Sequence, residues 1–183
     1  MPGPGDGGVP QTGDRLRRED RGPGTGAGTD PRWAGPGAHG WQARRRGLRV
    51  GYAPGTFDMF HIGHLNLLRR ASLRCDLLIA GVLSDDVTLV LKGHRPVVPQ
   101  DERLEIVSGL DVVAEAVLER TVDKLAAWRR LRFDVVFKGD DWQGSETWTR
   151  LEHDFGRVGV QVVYLPYTRH TSSTRLRRLL GIG

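Results

Sequence analysis

The sequence is poor in cysteine and in long apolar runs. Cys75 is the single cysteine among 183 residues, which excludes an internal disulfide framework and fits a protein of the reducing cytoplasm. The basic run Arg44-Arg45-Arg46 is followed by no apolar stretch long enough for a signal peptide or a membrane span. No serine or cysteine stands beside an obvious base, so the sequence indicates no covalent nucleophile. The leucines around Cys75 predict a buried thiol.

Apolar side chains are also scarce in residues 1–47. This segment contains 13 glycines and 6 prolines, and its 8 arginines stand against 5 acidic residues. Such a composition buries too little surface to offset the entropy of ordering, so we expect a disordered Gly/Pro/Arg-rich tail. The tail carries +3 of the total charge of +5, which leaves +2 for residues 48–183. A basic tail could touch nucleic acid or anionic lipid, but a solvated arm is the simpler interpretation, and we expect no nucleic-acid partner. The chain length predicts one domain of ordinary size, formed by residues 48–183.

From residue 48 onward, short β-rich runs alternate with helical patterns. The alternation predicts an α/β fold, a Rossmann-like doubly wound parallel sheet of five strands with helices on both faces. We expect strands near 48–53, 76–83, 112–118, 134–138 and 161–165. We expect helices near 62–73, 101–110, 122–131, 145–157 and 172–180. In such sheets a ligand binds beyond the carboxyl ends of the strands, at the point where strand order reverses.

One stretch joins the first predicted strand to the first predicted helix, and it reads Gly55-Thr56-Phe57-Asp58-Met59-Phe60-His61-Ile62-Gly63-His64. A helix N-terminus offers unpaired N–H groups and the positive end of the macrodipole, so it attracts phosphate. His61 and His64 share one face of the opening turn because they are three residues apart. Gly63 lets a ligand approach the backbone, and Asp58 supplies a carboxylate. A lone histidine here would more often be a surface residue or a cap, but the pair favours an anion site.

Three later segments also follow predicted strands. Lys92 lies in a Gly-containing loop, and Arg103 lies near the start of the next helix, where either cation can reach a phosphate. The fourth strand leads into Lys138-Gly139-Asp140-Asp141-Trp142, in which a carboxylate can meet an amine or a ribose hydroxyl. The fifth leads to Ser172-Ser173-Thr174-Arg175, whose hydroxyls can cap a helix or donate to phosphate. Leu176, Leu179 and Leu180 then predict a buried stripe on that helix. Solvated charges, an Asp cap and simple helix capping are the structural alternatives. Trp128 and Trp148 are assigned to packing.

Taken in order, these motifs resemble the nucleotidyltransferase superfamily with the HxGH motif. Within it the chain is most similar to the cytidylyltransferase family, and to its glycerol-3-phosphate members in particular, from about residue 50 to residue 180. The tetrapeptide Gly139-Asp140-Asp141-Trp142 carries the preference for CTP, because the heptose adenylyltransferases share the Lys92 loop but have a glycine and a tyrosine in this tetrapeptide.

The resemblance implies roles for individual residues. His61 and His64 would stabilise the transition state, and Lys92 and Arg103 would position phosphates. The nucleotide would be bound by Gly55, Thr56, Phe57, Asp58, Gly63, Gly139, Asp140, Asp141, Ser172, Ser173, Thr174 and Arg175. We expect Mg²⁺ to arrive with the nucleotide and no metal to be held by the protein alone, because magnesium is commonly held by substrate phosphates and one or two carboxylates, for which Asp58 is a candidate. The resemblance further implies a homodimer, which the sequence itself does not show.

The chain departs from this family at two positions. Tyr167 stands where those cytidylyltransferases carry an arginine, and His170 stands where they carry a glycine. Arg169 is a candidate for supplying the missing guanidinium. Two alternatives therefore remain: adenylyl transfer to a sugar phosphate or to flavin mononucleotide, and a nucleotide-binding protein without turnover. The sequence does not fix the acceptor.

Overall fold

Five parallel strands form the centre of the computed structural model, which describes residues 38–168 and 170–182. The strands are β1 Val50–Gly55, β2 Leu77–Leu83, β3 Glu115–Glu119, β4 Val135–Gly139 and β5 Gln161–Leu165. They lie in the order β3-β2-β1-β4-β5, and each paired neighbour is parallel. The predicted α/β fold with a five-stranded parallel sheet is confirmed.

Helices cover both faces of the sheet. They are α1 Ala38–Arg45, α2 Ile62–Ser72, α3 Asp85–Lys92, α4 Gln100–Ser108, α5 Lys124–Leu131, α6 Glu146–Arg157 and α7 Ser173–Leu179. Alternate residues of each strand enter different cores, as two-sided burial requires. Tyr52 and Val136 face one core with Trp148, whereas Ala53 and Phe137 face the other with residues of α2 and α4.

The strand order reverses between β1 and β4, because successive strands move outward from β1 in one direction and then from β4 in the other. The carboxyl ends of these two strands, at Gly55 and Gly139, therefore flank the crevice in which ligands bind to sheets of this kind. Helix α2 begins shortly after β1, and a short 3-10 turn, Asp140–Trp142, follows β4 directly. The fold thus places two of the predicted motifs on either side of one crevice.

Two helices were not predicted. Helix α1 lies inside the segment expected to be a tail, and Ala43 within it is 4% exposed and packs in a core cluster, so order begins before residue 48. Residues 1–37 of the predicted tail lie outside the described residues. Helix α3 contains Lys92 as its last residue, which corrects its expected position in a loop. Ser84 caps its N-terminus, and Gly93 ends it in the left-handed conformation at φ 75°.

The expected buried stripe of the last helix is also wrong. Leu179 and Leu180 are 75% and 64% exposed, and α7 contributes no buried residue. This short helix is attached by polar contacts instead, among them a bond from Ser173 Oγ to the Asp58 carbonyl oxygen (2.7 Å). Across residues 38–168 and 170–182, no helix is both long and apolar enough to cross a membrane.

Candidate active site

The connection from β1 to α2 has an unusual backbone. Phe57 and Met59 adopt positive φ angles of 54° and 47°, which non-glycine residues rarely do. The Phe57 ring is buried and lies against Gly55, where an added Cβ would come within 3.0 Å of a ring carbon. The glycine predicted to bind nucleotide therefore makes room for Phe57. Thr56 is buried as well, at 7% exposure.

His61 is the N-cap of α2. Its Nδ1 accepts a hydrogen bond from the Gly63 N–H at 3.0 Å, so a neutral ring carries its proton on Nε2. That nitrogen is then a donor. An added Cβ on Gly63 would lie 2.8 Å from His61 Cε1, which means that the glycine accommodates the imidazole as well as any ligand. Burial lowers the pKa of His61.

His64 stacks on His61, with 3.9 Å between the ring centroids, and its other side meets Phe57 and Phe60 at 5.4 and 5.5 Å. Burial lowers the pKa of His64 to about 3, and the nearby charges of Lys92 and Lys138 act in the same direction. Its Nδ1 is buried and has no hydrogen-bond partner among the residues that the structure describes. The ring is therefore neutral, and its Nδ1 remains available for a hydrogen bond to a ligand.

Asp58 is almost fully buried and serves the protein framework. Its carboxylate accepts hydrogen bonds from the N–H groups of Val97 (2.9 Å) and Val98 (3.0 Å), and Arg177 approaches it to 3.8 Å. The backbone carbonyl of Asp58 accepts from Ser173. Asp58 thus joins the loop before α4 and the start of α7 to the turn that carries the histidines.

Arg103 lies in the interior, which corrects its expected role in holding phosphate. It is 1% exposed, and its guanidinium donates to the carbonyl oxygens of Val98 (2.9 Å), Leu83 (2.8 Å) and Thr56. A fourth bond, at 2.6 Å, goes to the Asp85 carboxylate. These partners come from the ends of β1 and β2, the start of α3 and the following loop. Arg103 therefore holds these segments together beneath the crevice, and its guanidinium is not exposed to a ligand.

Two lysines bring positive charge to the crevice. Burial, together with the charges of Lys92 and Lys124, lowers the pKa of Lys138 to about 8. Burial also lowers the pKa of Lys92, which Asp58 partly opposes. The Lys138 ammonium lies over the rings of Trp142 and Trp148, at 4.6 and 5.6 Å from their centroids. The sequence predicted a phosphate-binding role for Lys92, but it indicated no role for Lys138.

Carboxylates occupy the β4 side of the crevice. Asp140 Oδ1 accepts from the Tyr167 N–H at 3.0 Å, so the segment after β5 is held against the turn after β4. An added Cβ on Gly139 would lie 2.3 Å from Asp141 Oδ1, so a side chain at this position would displace the carboxylate. Burial raises the pKa of Asp141, while the charge of Lys138 opposes the rise. The Tyr167 ring is 42% exposed next to these groups.

The Ser-Ser-Thr segment lies beside the histidine pair. The Thr171 carbonyl oxygen is 3.4 Å from the position of a Gly63 Cβ. Ser172 caps α7 by accepting from the Arg175 N–H (3.1 Å), and Arg175 donates to the His170 carbonyl at the same distance. Thr174 is exposed. The structure thus brings this segment to the start of α2, as the sequence predicted, although Ser172 and Ser173 also hold helices and turns together. Arg169 lies outside the described residues.

The site is a crevice with basic and hydrogen-bonding side chains on both sides. On the α2 side lie His61, His64 and the start of α7, and on the β4 side lie Lys138 and the two aspartates.

Cys75 is half-buried away from this edge, and burial raises the pKa of its thiol to about 11, which agrees with the absence of a chemical role. Trp148 packs in the core as predicted, but Trp142 is 41% exposed and covers Lys138.

Comparisons with known proteins agree with this geometry. A family model described as cytidylyltransferase-like matches residues 52–179. Glycerol-3-phosphate cytidylyltransferase from Bacillus spizizenii is 33% identical over 127 residues, which is 68% of this chain and 91% of that protein. Bifunctional protein HldE from Caulobacter sp. (strain K31) is 40% identical over 104 residues, 56% of this chain. The chain matches only 21% of the length of that HldE relative.

A solved structure shares the fold. It is the lipopolysaccharide core biosynthesis protein from Thermoplasma volcanium GSS1, with a TM-score of 0.58 and 24% sequence identity over 68% of this chain and 99% of that one. The matched region runs from β1 to α7 and contains each residue assigned to the crevice. The chain therefore belongs to the cytidylyltransferase-like family of nucleotidyltransferases.

Proposed function

We propose that the protein transfers CMP from CTP to a small phosphorylated alcohol, with glycerol 3-phosphate as the preferred acceptor, giving CDP-glycerol and pyrophosphate. The stacked pair of His61 and His64 at the start of α2 is the observation that supports this most directly. Both rings are neutral, both retain a donor, and the Ser-Ser-Thr segment adjoins them. Donors gathered at a helix N-terminus form a site that suits a triphosphate.

The reaction is an in-line displacement at the α-phosphorus of CTP. An oxygen of the acceptor phosphate forms the new bond while the bond to the bridging oxygen breaks, and pyrophosphate carries away the electron pair. His61 Nε2–H and His64 would donate to the oxygens on which charge accumulates, and Lys92 would add a mobile positive charge. Ser172, Ser173 and Thr174 would receive the pyrophosphate. Mg²⁺ enters as part of the magnesium nucleotide substrate.

The β4 side would receive the base and ribose. Asp141, placed by Gly139, and Asp140, placed by Tyr167, present carboxylates that can accept from an exocyclic amine or a ribose hydroxyl. Together with the glycerol-3-phosphate cytidylyltransferase relative, this arrangement supports CTP. The HldE relatives support the second candidate, in which the acceptor is a sugar phosphate and the nucleotide is ATP.

Pyrophosphate release tests the proposal. Purified protein is incubated with Mg²⁺ and each of CTP, ATP, UTP and GTP, with glycerol 3-phosphate, a heptose phosphate or flavin mononucleotide as the acceptor. We expect release with CTP and glycerol 3-phosphate. Release with ATP and the sugar phosphate alone would establish the second candidate. CTP binding by calorimetry without release for any acceptor would instead indicate a nucleotide-binding protein.

A further inference from the structure

Net charge is distributed unevenly along the chain. Residues 1–37 contain five arginines and five acidic residues, so their charges cancel. The six residues from Arg44 to Arg49 contain four arginines and no acidic residue, which gives them +4 of the total charge of +5. The excess positive charge of the protein is therefore concentrated in one short segment, between the end of α1 and the start of β1.

A helix cap fixes the backbone of this segment. Gly47, at φ 75°, donates to the Arg44 carbonyl oxygen at 3.0 Å, and the Leu48 N–H donates to the Ala43 carbonyl oxygen at the same distance. These two bonds form a Schellman motif, which ends α1. Ala43 packs in the core, so the helix is attached to the domain. The arginines therefore occupy an ordered surface.

The segment lies at the amino edge of the sheet, on the opposite side from the crevice. Strand β1 begins at Val50, directly after Arg49, and ends at Gly55 beside the crevice. Six residues of a strand span about 20 Å, so a ligand bound at the amino edge would leave the crevice open to its substrates.

Two exposed leucines accompany the arginines. Leu48 is 39% exposed, and Leu73, the C-cap of α2, is 84% exposed beside the exposed Arg74. The connection after Leu73 lies next to Arg49, because the Arg49 N–H donates to the Asp76 carboxylate (2.7 Å) and the Asp76 N–H donates to the Arg49 carbonyl oxygen (2.8 Å). The amino-edge surface is defined here as Arg44, Arg45, Arg46, Leu48, Arg49, Leu73 and Arg74.

Framework contacts account for part of this charge. Arg44 pairs with Asp134 at 3.0 Å, and the Arg49 guanidinium donates to the Gln161 side-chain oxygen at 2.6 Å. The carboxylates of Asp76 and Asp134 each also accept a hydrogen bond from a backbone N–H. Both acidic side chains are therefore already bound to the framework.

Two of the arginines have no such contact. Arg45 and Arg46 are exposed, and within residues 38–168 and 170–182 neither side chain has a hydrogen-bond or ion-pair partner. The helix dipole favours a cation at Arg45, in the last turn of α1, but Arg46 follows the helix. Adjacent like charges repel each other, and a guanidinium binds phosphate through two parallel hydrogen bonds. A surface of phosphates would therefore complement this segment.

We infer that the amino-edge surface docks the protein on an anionic phospholipid bilayer. The arginines bind lipid phosphates, and Leu48 and Leu73 enter the boundary between headgroups and acyl chains. The leucines favour a bilayer over a nucleic acid, because a nucleic-acid backbone is bound through charge and hydrogen bonds and provides no apolar layer. This inference goes beyond the proposed transfer reaction and does not depend on it. An open depression that can receive a headgroup is lined by Arg44, Gly47, Leu48, Arg49 and Asp134.

Vesicle co-sedimentation tests this assignment. The full chain is mixed with vesicles of phosphatidylcholine alone, or of phosphatidylcholine and phosphatidylglycerol in equal parts. We expect at least about tenfold stronger binding to the anionic vesicles, and we expect this binding to weaken as the salt concentration rises, because salt screens the charges. Equal binding to both kinds of vesicle, or binding to neither, would overturn the inference.

Charge variants locate the surface that binds. Arg45→Gln/Arg46→Gln is compared with Arg150→Gln/Arg178→Gln, which removes the same net charge from exposed positions on α6 and α7. One arginine near an anionic bilayer changes binding about fivefold, so the first variant should bind the anionic vesicles at least about tenfold more weakly than the wild type. The control should stay within about threefold. Equal losses in both variants would contradict a localised surface.

An exposed leucine separates a bilayer from other polyanions. Leu73→Gln should weaken binding to the anionic vesicles at least about fivefold, because it removes methylene groups that enter the bilayer. Leu179→Gln is the matched control, since Leu179 is 75% exposed on α7, and its binding should equal that of the wild type. Full vesicle binding by Leu73→Gln, or tighter binding of the wild type to a single-stranded oligonucleotide than to the vesicles, would exclude the bilayer as the partner.

Discussion

Basic side chains of two kinds lie at the carboxyl edge of the sheet, and they differ in what they bind. Arg103 is enclosed, and its guanidinium makes four hydrogen bonds to the protein. His64 has a buried ring nitrogen with no partner among the described residues, and Lys124 has a buried ammonium in the same situation. The difference shows that positive charge beside a crevice does not by itself identify a ligand contact. Unused hydrogen-bonding capacity is the better indicator.

Replacing the enclosed cation should have the largest effect. In Arg103→Met, Asp85 loses its ion-pair partner and three backbone carbonyls lose a donor, so we expect the free energy of unfolding to fall by about 3–5 kcal/mol. Urea denaturation measures this fall. The exposed Arg150→Met change on α6 is the control and should stay within about 0.5 kcal/mol. A loss of activity with an unchanged free energy of unfolding would show instead that Arg103 contacts a ligand.

The opposite behaviour is expected for His64. His64→Ala should lower kcat at least about a hundredfold, as loss of a preorganised donor to a charged transition state does. CTP binding should survive in part, because the helix N-terminus and the Ser-Ser-Thr segment remain. Initial rates of pyrophosphate release and calorimetry with CTP measure the two effects. Turnover equal to that of the wild type would remove the central assignment.

Protonation of His64 provides a pH test. Its pKa of about 3 lies below the ordinary value of 6.5, so the unfolded chain binds a proton that the folded protein rejects. The free energy of unfolding should therefore fall as pH drops below about 6.5, by about 1.4 kcal/mol per pH unit from this group. Denaturation of the wild type and of His64→Gln between pH 7.5 and 5 isolates the contribution. Parallel curves for the two proteins would mean that the ring is not held neutral.

His61 combines both roles, so its variants should separate them with the smallest effect on stability. His61→Ala loses the N-cap of α2 as well as the imidazole, and it should lower the free energy of unfolding by about 0.5–2 kcal/mol. Asparagine is a good N-cap, so His61→Asn should restore most of this stability and none of the turnover. Thermal melts and pyrophosphate release measure the two outcomes. Recovery of activity in His61→Asn would show that His61 serves only the helix.

The sequence was sufficient for the sheet because its strands are short apolar runs bounded by turns, and these patterns reflect burial on both faces. It was insufficient for α3. The segment from Asp85 to Lys92 follows β2 with only Ser84 between them, and its leucines and valines include exposed ones such as Val90 at 75%. The cap at Ser84 and the glycine at residue 93 were the available signals for a helix there.

Side-chain direction explains the other differences. Nothing in the sequence distinguishes Arg103, which turns into the interior, from Lys92, which remains at the crevice, because both are basic residues in the connection between β2 and β3. Leucine spacing predicted a buried stripe on α7, but the helix sits at the margin of the domain, where there is no apolar layer to meet Leu179 and Leu180. The Lys138 ammonium lies over the rings of Trp142 and Trp148. The position of the Trp142 ring depends on the turn after β4, which the sequence pattern does not specify.

Arg103 has a consequence for anyone who would exchange substrate loops between relatives. The segment around Val97 and Val98 is tied at one end to Asp58 and at the other to a guanidinium that belongs to α4. A transplanted loop without its own α4 would lose a matching partner for the hydrogen bond between Arg103 and the Val98 carbonyl oxygen. In chimeras of this family the junction should therefore lie after Ser108, where α4 ends, so that the loop and the helix are exchanged together.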